Sequence, residues 1–203
     1  RNVLKSALNP IYDMNLSPVV ATELEFYLIE SGDGSMPKLK LAKVPGTAID
    51  QEGIQYAMPE DLWDNDDFLE AVRAACAEQN VPMTTVHSEY SPGQYEINLH
   101  HVSDPIVACD QTVLLKRIVK GVARQHGMAA SFMAKPFGGL AGCGLHIHFS
   151  LYDQYGENIF ADFSSTEEPA VSEKLRCAIG GLIATMPESM AIFAPNANSY
   201  RRL

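Results

Sequence analysis

Alternating apolar and polar residues predict three β-strands, at residues 19–29, 94–101 and 145–152. Because successive side chains of a strand point to opposite faces, each strand presents one apolar and one polar face. The positions predicted to face the core are Leu24, Phe26, Leu28, Ile97, Leu99, Leu145, Ile147, Phe149 and Leu151. The opposite faces carry Glu23, Glu25, Tyr27, Glu96, Asn98, His100, His146, His148 and Ser150.

Apolar residues that recur every three or four positions predict helices at residues 3–14, 61–79, 106–127 and 173–186. Pro10 is expected to kink or interrupt the first of them. Further strands are expected at 83–90 and 128–134, and residues 31–61 form a long loop with room for a short hairpin. The turn at residues 91–93 makes 83–101 a hairpin, which favours an α+β fold on an antiparallel sheet over an α/β fold.

The residue types on the three polar faces favour a metal site over solvent exposure. Half-solvated strands are common, so any one polar face is unremarkable by itself. These faces, however, combine carboxylates, imidazoles, amides and hydroxyls and contain no Lys or Arg. If the strands are neighbours, Glu23, Glu25, Glu96 and the nearby Glu89 would raise each other's pKa unless cations neutralise them. Carboxylates with one or two imidazoles suit Mg²⁺ or Mn²⁺, and Mg²⁺ often shares its ligand shell with substrate phosphates.

Composition narrows the class of protein further. The formal net charge of −10 over 203 residues argues against nucleic acid or an anionic membrane as the main partner. Four scattered cysteines without a C-x-x-C pair are typical of reduced, cytoplasmic thiols. No apolar run reaches the roughly 18 residues of a membrane span, and the first ten residues lack the apolar core of a signal peptide. The sequence begins with Arg1 and ends at Leu203 without a cap, so both ends look cut.

A glycine-rich stretch, residues 135–144, precedes the His146-x-His148 strand. Glycines allow backbone to approach a ligand closely, although a plain flexible turn explains the composition equally well. The stretch matches neither a P-loop nor a dinucleotide fingerprint, so ATP would have to be held differently. His87, His101 and His126 are interpreted as ordinary surface or loop histidines.

Four segments together resemble the glutamine synthetase family. They are residues 23–26 (ELEF), 87–96 (HSEYSPGQYE), 135–150 (KPFGGLAGCGLHIHFS) and 198–203 (NSYRRL). The resemblance implies an ATP-dependent ligase that phosphorylates the γ-carboxylate of glutamate and lets ammonia or an amine displace phosphate from γ-glutamyl phosphate. It also implies a homo-oligomeric ring in the full-length protein.

Site residues follow from the resemblance, position by position. Glu25, Glu89 and Glu96 would bind an Mg²⁺ or Mn²⁺ near glutamate and the amine, and Glu89 would also face the amine. Glu23 and His146 would bind a second ion near the ATP phosphates. His148 and Ser150 would contact the nucleotide, while Gly142 and Arg202 would bind glutamate, Arg202 through its fork of donors.

Two departures from the family pattern limit this transfer. Typical glutamine synthetases have an Asn where this chain has Ala141, and the surrounding loop is similar to that of γ-glutamylputrescine and γ-glutamylpolyamine synthetases. The family also has a small N-terminal domain and a longer catalytic domain, so residues 1–203 are expected to be a partial catalytic domain without turnover of its own.

Three alternatives remain open at this point. The parent protein could be a glutamine synthetase proper that uses ammonia, or a catalytically silent relative. A metal-dependent hydrolase or cupin-like lyase would explain His146 and His148, but not the Glu-x-Glu strand or the terminal arginines.

Overall fold

The computed structural model describes residues 1–30, 32, 37–162, 164 and 170–202. It has the α+β architecture predicted from the sequence, a five-stranded sheet with helices. The helices are α1 (Asn2–Asp13), α2 (Pro59–Trp63), α3 (Asp66–Glu78), α4 (Pro105–Gln125) and α5 (Glu173–Phe193). The strands are β1 (Ser17–Glu30), β2 (Met83–Ser88), β3 (Gln94–Leu99), β4 (Met128–Ser131) and β5 (Leu145–Tyr152). A short 3₁₀ helix follows at Ser199–Arg202.

The longest strand, β1, lies at the centre of the sheet. The strand order is β2-β3-β1-β4, and β5 also pairs with β1. The predicted hairpin is confirmed, because β2 and β3 pair antiparallel. β1 pairs antiparallel with β3 on one side and with β4 on the other. The three strands chosen for their polar faces, β1, β3 and β5, are therefore neighbours, as the metal-site hypothesis required.

Chain contacts divide the protein into two units, of which the larger holds the main core. This unit consists of Thr22–His100, Cys109–Ile147 and Asn198–Leu203. Leu24, Phe26 and Leu28 of β1 are buried together with Ile97 and Leu99 of β3, as predicted. They pack with apolar residues of α3 and α4 in one cluster. The remaining core residues are Phe68, Leu69, Val72, Cys76, Val81, Tyr95, Leu115, Ile118, Val119, Val122, Ala123 and Met128.

The prediction that β5 turns its apolar residues into the core is wrong. Leu145, Ile147 and Phe149 are 49%, 61% and 43% exposed, and Leu151 is only half-buried. The core cluster takes no residue from β5 among those described. Alternation predicts which residues of a strand share a face, but a face becomes core only where another element covers it.

Three of the predicted helices differ in the structure. α1 runs through Pro10 without a break, and the helix expected at 61–79 is divided into α2 and α3. Asp66 and Asp67 give α3 an acidic first turn, which the helix dipole stabilises. α5 continues past Pro187 to Phe193, whereas it was expected to end near residue 186.

The long loop before α2 carries the short hairpin expected there, closed by the Lys43–Asp50 bridge. Residues 31 and 33–36 of this loop lie outside the described part of the chain.

The smaller unit consists of Arg1–Ala21, His101–Ala108 and His148–Ala197. It includes α1 and α5, and Val20 bridges Val102 within it. α5 begins where the Ser172 hydroxyl accepts a hydrogen bond from the Leu175 amide at 3.2 Å. None of the side chains of α5 is buried, although many are apolar. Among the described residues, no helix is both long enough and apolar enough to cross a membrane.

Asp61 on α2 provides a prediction about stability and pH. It is buried, and both carboxylate oxygens lack a hydrogen-bond partner. Burial raises its pKa above the usual value, so Asp61 favours the folded state at low pH, and this contribution is lost as pH rises through the raised pKa. We expect Asp61→Asn, which keeps the shape and polarity of the side chain but removes the charge that burial disfavours, to increase the free energy of unfolding at pH 7 by about 1–3 kcal/mol.

The gain should disappear below about pH 4, the ordinary pKa region of Asp. Urea unfolding of wild type and of Asp61→Asn at pH 4 and pH 7 measures this gain. Subtracting the wild-type free energy of unfolding from that of the variant at each pH removes the contribution of the other carboxylates. A variant that is no more stable than wild type at pH 7 would contradict the prediction.

Candidate metal centre

The polar faces of β1 and β3 meet in a ladder of directly opposed side chains. Glu25 lies opposite Glu96, Glu23 lies opposite Asn98, and Tyr27 lies opposite Gln94. The residues between them, such as Phe26, point into the core. Period-two alternation in two correctly registered strands therefore places the acidic residues on one side of the sheet and the apolar residues on the other.

His146, the second residue of β5, brings an imidazole to this ladder. Its Nδ1 lies 3.0 Å from Glu23 Oε2 and 3.7 Å from Glu96 Oε2. Its Nε2 lies 3.7 Å from Glu25 Oε1. Three of the other four predicted metal ligands, Glu23, Glu25 and Glu96, thus lie within 3.7 Å of the His146 imidazole.

Glu89, the fifth predicted metal ligand, lies in the turn between β2 and β3. It is half-buried, and its Oε2 accepts a hydrogen bond from the Tyr90 amide at 3.2 Å. Burial raises the pKa of Glu89, and the charges of Glu25 and Glu96 raise it further. Burial also raises the pKa of Glu96, with Glu23 as the next cause. Both carboxylates are therefore costly to ionise without a cation.

The donor atoms fit a hard divalent cation. Glu23, Glu96 and His146 each offer one ligand atom, and these atoms lie within 4.8 Å of one another. Carboxylate oxygens with one imidazole are the ligands that Mg²⁺ or Mn²⁺ prefers. This trio combines Glu96, predicted for one ion, with Glu23 and His146, predicted for the other. The division of the ligands between two ions stays a prediction.

The loop before β5 packs tightly against this cluster. The Glu25 amide donates to the Gly144 carbonyl at 3.2 Å. A Cβ added at Gly144 would lie 2.7 Å from both Glu25 Oε1 and His146 Nε2. Any side chain there would displace one of the two predicted ligands, so this position of the glycine-rich stretch is built for close approach rather than for flexibility.

Gly142 and Arg202, the residues predicted to bind glutamate, lie close to each other. Arg202 Nη1 donates to the Cys143 carbonyl at 2.8 Å. A Cβ at Gly142 would lie 2.8 Å from Arg202 Nε and 2.7 Å from the Ala134 carbonyl. The structure thus brings the two residues together, although their roles stay predictions.

Asn198, in the terminal segment, binds the start of the glycine-rich stretch at Lys135. Its side-chain oxygen accepts from the Lys135 amide at 2.8 Å, and its Nδ2 donates to the Lys135 carbonyl at 2.9 Å. Two segments far apart in sequence, 135–150 and 198–203, are therefore joined by a two-point contact. Leu203, the last residue of the second segment, lies outside the described residues.

His148 and Ser150 follow His146 at two-residue intervals on β5 and therefore share its side of the strand. His148 is exposed and Ser150 is half-buried. Their predicted contact with a nucleotide stays a prediction.

Sequence reasoning missed two residues of this region. His87 is exposed, as a surface histidine would be, but its Nε2 also lies 3.6 Å from Glu96 Oε1 and 3.0 Å from Asn98 Nδ2. Gln94 is buried, and its amide donates to Glu25 Oε2 at 2.9 Å. Alternation along β3 offered a signal for Gln94, because it places this residue on the same face as Glu96 and Asn98.

Comparison with known proteins gives one consistent result. The family model described as the glutamine synthetase catalytic domain matches residues 1–203. The chain is 39% identical over 202 residues to gamma-glutamylputrescine synthetase PuuA of Escherichia coli, covering 100% of the chain and 42% of that protein. It is 34% identical over 203 residues to glutamine synthetase of Halobacterium salinarum, covering 100% of the chain and 42% of that protein.

A third relative and a solved structure agree with these matches. Glutamate–isopropylamine ligase of a Pseudomonas species is 32% identical over 203 residues, with 100% of the chain and 43% of the relative covered. The GmaS/ADP complex superimposes with a TM-score of 0.83 at 30% identity, covering 98% of the chain and 44% of that structure. The chain therefore spans less than half the length of these relatives.

Proposed function

Because the chain belongs to the glutamine synthetase family, we propose that the full-length protein containing it ligates ammonia or an amine to glutamate at the expense of ATP. The observation that carries this proposal is the Glu23, Glu96 and His146 cluster. The loop that packs on His146 at Gly144 also packs on Arg202 at Gly142. A divalent cation binds phosphates and a guanidinium binds carboxylates, so this combination suits ATP and glutamate as substrates.

We propose two Mg²⁺ or Mn²⁺ ions per site. Glu25, Glu89 and Glu96 would hold one ion, and Glu23 and His146 would hold the other. When bound, such ions neutralise charge on the nucleotide phosphates and on the phosphoryl group in transfer. The protein side chains would bind and orient the substrates and would exclude water. No nucleophilic side chain is needed.

The substrates would be placed by the residues that surround this cluster. Arg202 would bind the carboxylate of glutamate through charge-assisted hydrogen bonds, next to the Gly142 backbone. His148 and Ser150 would contact ATP, and Glu89 would face the amine. A γ-carboxylate oxygen would attack the γ-phosphorus and release ADP. The amine would then attack the γ-carbonyl carbon, release phosphate and lose a proton.

We propose that the acceptor is an organic amine, as in a γ-glutamylpolyamine synthetase, rather than ammonia. Ala141 supports this choice because it lacks the amide found there in typical glutamine synthetases. Amine ligases are among the relatives, and their names include putrescine and isopropylamine. Glutamine synthetase relatives of lower identity keep ammonia as the second candidate. A cytoplasmic ring of identical subunits is part of the same proposal.

Phosphate release by the full-length protein tests the function. With Mg²⁺, ATP and glutamate present, we expect release to depend on an added amine and to be faster with putrescine or isopropylamine than with ammonia. The expected ratio of kcat/KM is at least about tenfold, because a pocket shaped for an alkyl chain gains about 1–3 kcal/mol from burying it.

Omitting glutamate and omitting the amine are the matched controls for this assay. Release that is fastest with ammonia would favour a glutamine synthetase. No glutamate-dependent release with any of these acceptors would refute the ligase and favour the catalytically silent relative.

A further inference from the structure

The buried amide of Gln94 connects the acidic ladder to the loop that precedes β5. Its Nε2 donates to Glu25 Oε2 at 2.9 Å and to the Gly142 carbonyl at 3.0 Å. We propose that Gln94 is a positioning residue that fixes Glu25 for metal binding and Gly142 for glutamate binding through one amide group. The glutamate part of this inference rests on the proposed function, whereas the metal part does not.

The hydrogen-bond network leaves the Gln94 amide one orientation. Its Oε1 accepts from the Ser91 amide at 3.2 Å, while both Nε2 hydrogens have acceptors in Glu25 and Gly142. Rotating the amide by 180° would set its oxygen against a carboxylate and a carbonyl, and its NH₂ group against an N–H. Three satisfied contacts in a buried site therefore hold the group rigidly.

This orientation determines which oxygen of Glu25 is available to a cation. Glu25 Oε2 is held by Gln94, whereas Oε1 lies on the side of His146 Nε2, 3.7 Å away. Gln94 also carries no charge, so it adds none to the carboxylates of the acidic ladder. The side chain thus orders Glu25 without competing with it for the ion.

Other contacts hold the same loop, but at a different residue. The Tyr27 hydroxyl donates to the Ala141 carbonyl at 2.8 Å, and the Ser91 hydroxyl accepts from the Ala141 amide at 2.9 Å. These two contacts attach the loop to the sheet without touching Glu25. Gln94 adds the contact that ties the loop backbone to a predicted metal ligand, so its loss should affect two binding events together.

Gln55, in the long loop before α2, offers a matched control because it contacts the turn between β2 and β3. It is buried, its Nε2 donates to the Gln94 carbonyl at 2.6 Å, and its Oε1 accepts from the Gly93 amide at 3.1 Å. The hydrogen bonds of the Gln55 side chain therefore reach only backbone atoms of the turn. Substitution of Gln55 reports the structural cost of losing a buried amide here, without the proposed effect on Glu25 and Gly142.

Mn²⁺ titration of the full-length protein tests the metal part without any turnover. We expect Gln94→Met, which removes the donors and adds no charge, to weaken Mn²⁺ binding by about 10–100-fold, the usual loss for a residue that orients a metal ligand. Gln55→Met should stay within about twofold of wild type. Gln94→Glu serves as a second, isosteric variant and should weaken Mn²⁺ binding at least as much.

Kinetics of the same variants test the glutamate part. Gln94→Met should raise KM for glutamate by about tenfold and leave KM for ATP unchanged, a pattern that general loss of stability would not produce. Ser91→Ala, which removes an Ala141 contact and leaves Glu25 bonded to Gln94, should raise KM for glutamate without changing Mn²⁺ affinity.

Two results would overturn the proposal: equal Mn²⁺ affinities in the Gln94 and Gln55 variants, or a loss of affinity in Ser91→Ala as large as in Gln94→Met. A wild-type protein without glutamate-dependent phosphate release would refute the proposed function instead. In that case a selective loss of Mn²⁺ affinity in Gln94→Met would still support the metal part.

Discussion

His146→Ala is expected to weaken Mn²⁺ binding by more than about 100-fold, beyond the 10–100-fold typical of losing a residue that only supports a ligand. The imidazole is the contact shared by Glu23, Glu25 and Glu96, at 3.0 to 3.7 Å. Its removal deletes a donor atom and leaves several carboxylates facing one another. Calorimetric or paramagnetic titration with Mn²⁺ measures the loss directly.

The matched control is His126→Ala. His126 is an exposed histidine that follows α4 in the same unit, where its ring contacts Phe68 instead of the acidic ladder. Its substitution should leave Mn²⁺ affinity unchanged. Glu25→Ala should weaken binding in the same direction as His146→Ala. Wild-type affinity in both His146→Ala and Glu25→Ala would refute the metal centre.

Phe26→Ala is expected to reduce the free energy of unfolding by about 3–5 kcal/mol, the range for removing a buried aromatic side chain. Phe26 is fully buried, and its ring lies 6.1 Å from that of Tyr95 and 5.3 Å from that of Phe132. Its neighbour Glu25 is on the opposite face of β1. A cavity behind the strand should therefore loosen the acidic ladder as well as the core.

Urea unfolding of the variant and of Phe193→Ala tests this expectation. Phe193 is about half exposed at the end of α5, so its loss should cost less than about 0.5 kcal/mol. A cost below about 1 kcal/mol for Phe26→Ala would mean that the core does not depend on this ring.

Much of the sheet could be predicted because its strands alternate so strictly. Alternation alone placed Leu24 on the opposite face from Glu25 in β1 and Ile97 on the opposite face from Glu96 in β3. The register that buries both apolar residues then had to put Glu25 and Glu96 together on the other face. The face of β5 could not be assigned in the same way, since Leu145 and Ile147 are as apolar as core residues and yet exposed. Whether a face is covered depends on distant elements, and the sequence of the strand does not contain that information.

The candidate site shows the same division between local and distant information. Strand alternation placed His146 and Glu23 on polar faces, and the resemblance to the glutamine synthetase family implied that they act as a pair. The contact between Gln94 and Gly142 depends on how the loop before β5 returns to the sheet, which no local pattern encodes. The separation of the helix expected at 61–79 into α2 and α3 was equally hidden, because its apolar residues keep helical spacing across the break.

The pairing of β1 with β3 also limits how this protein can change in length. Inserting or deleting one residue between Glu23 and Tyr27 would exchange the two faces beyond that point, which would bury carboxylates and expose the core. β2 already accommodates an irregularity between Met83 and Val86, whereas the β1–β3 register is unbroken from Glu23 to Tyr27. Length variation among homologues, and safe insertion points for engineering, should therefore lie outside this five-residue segment.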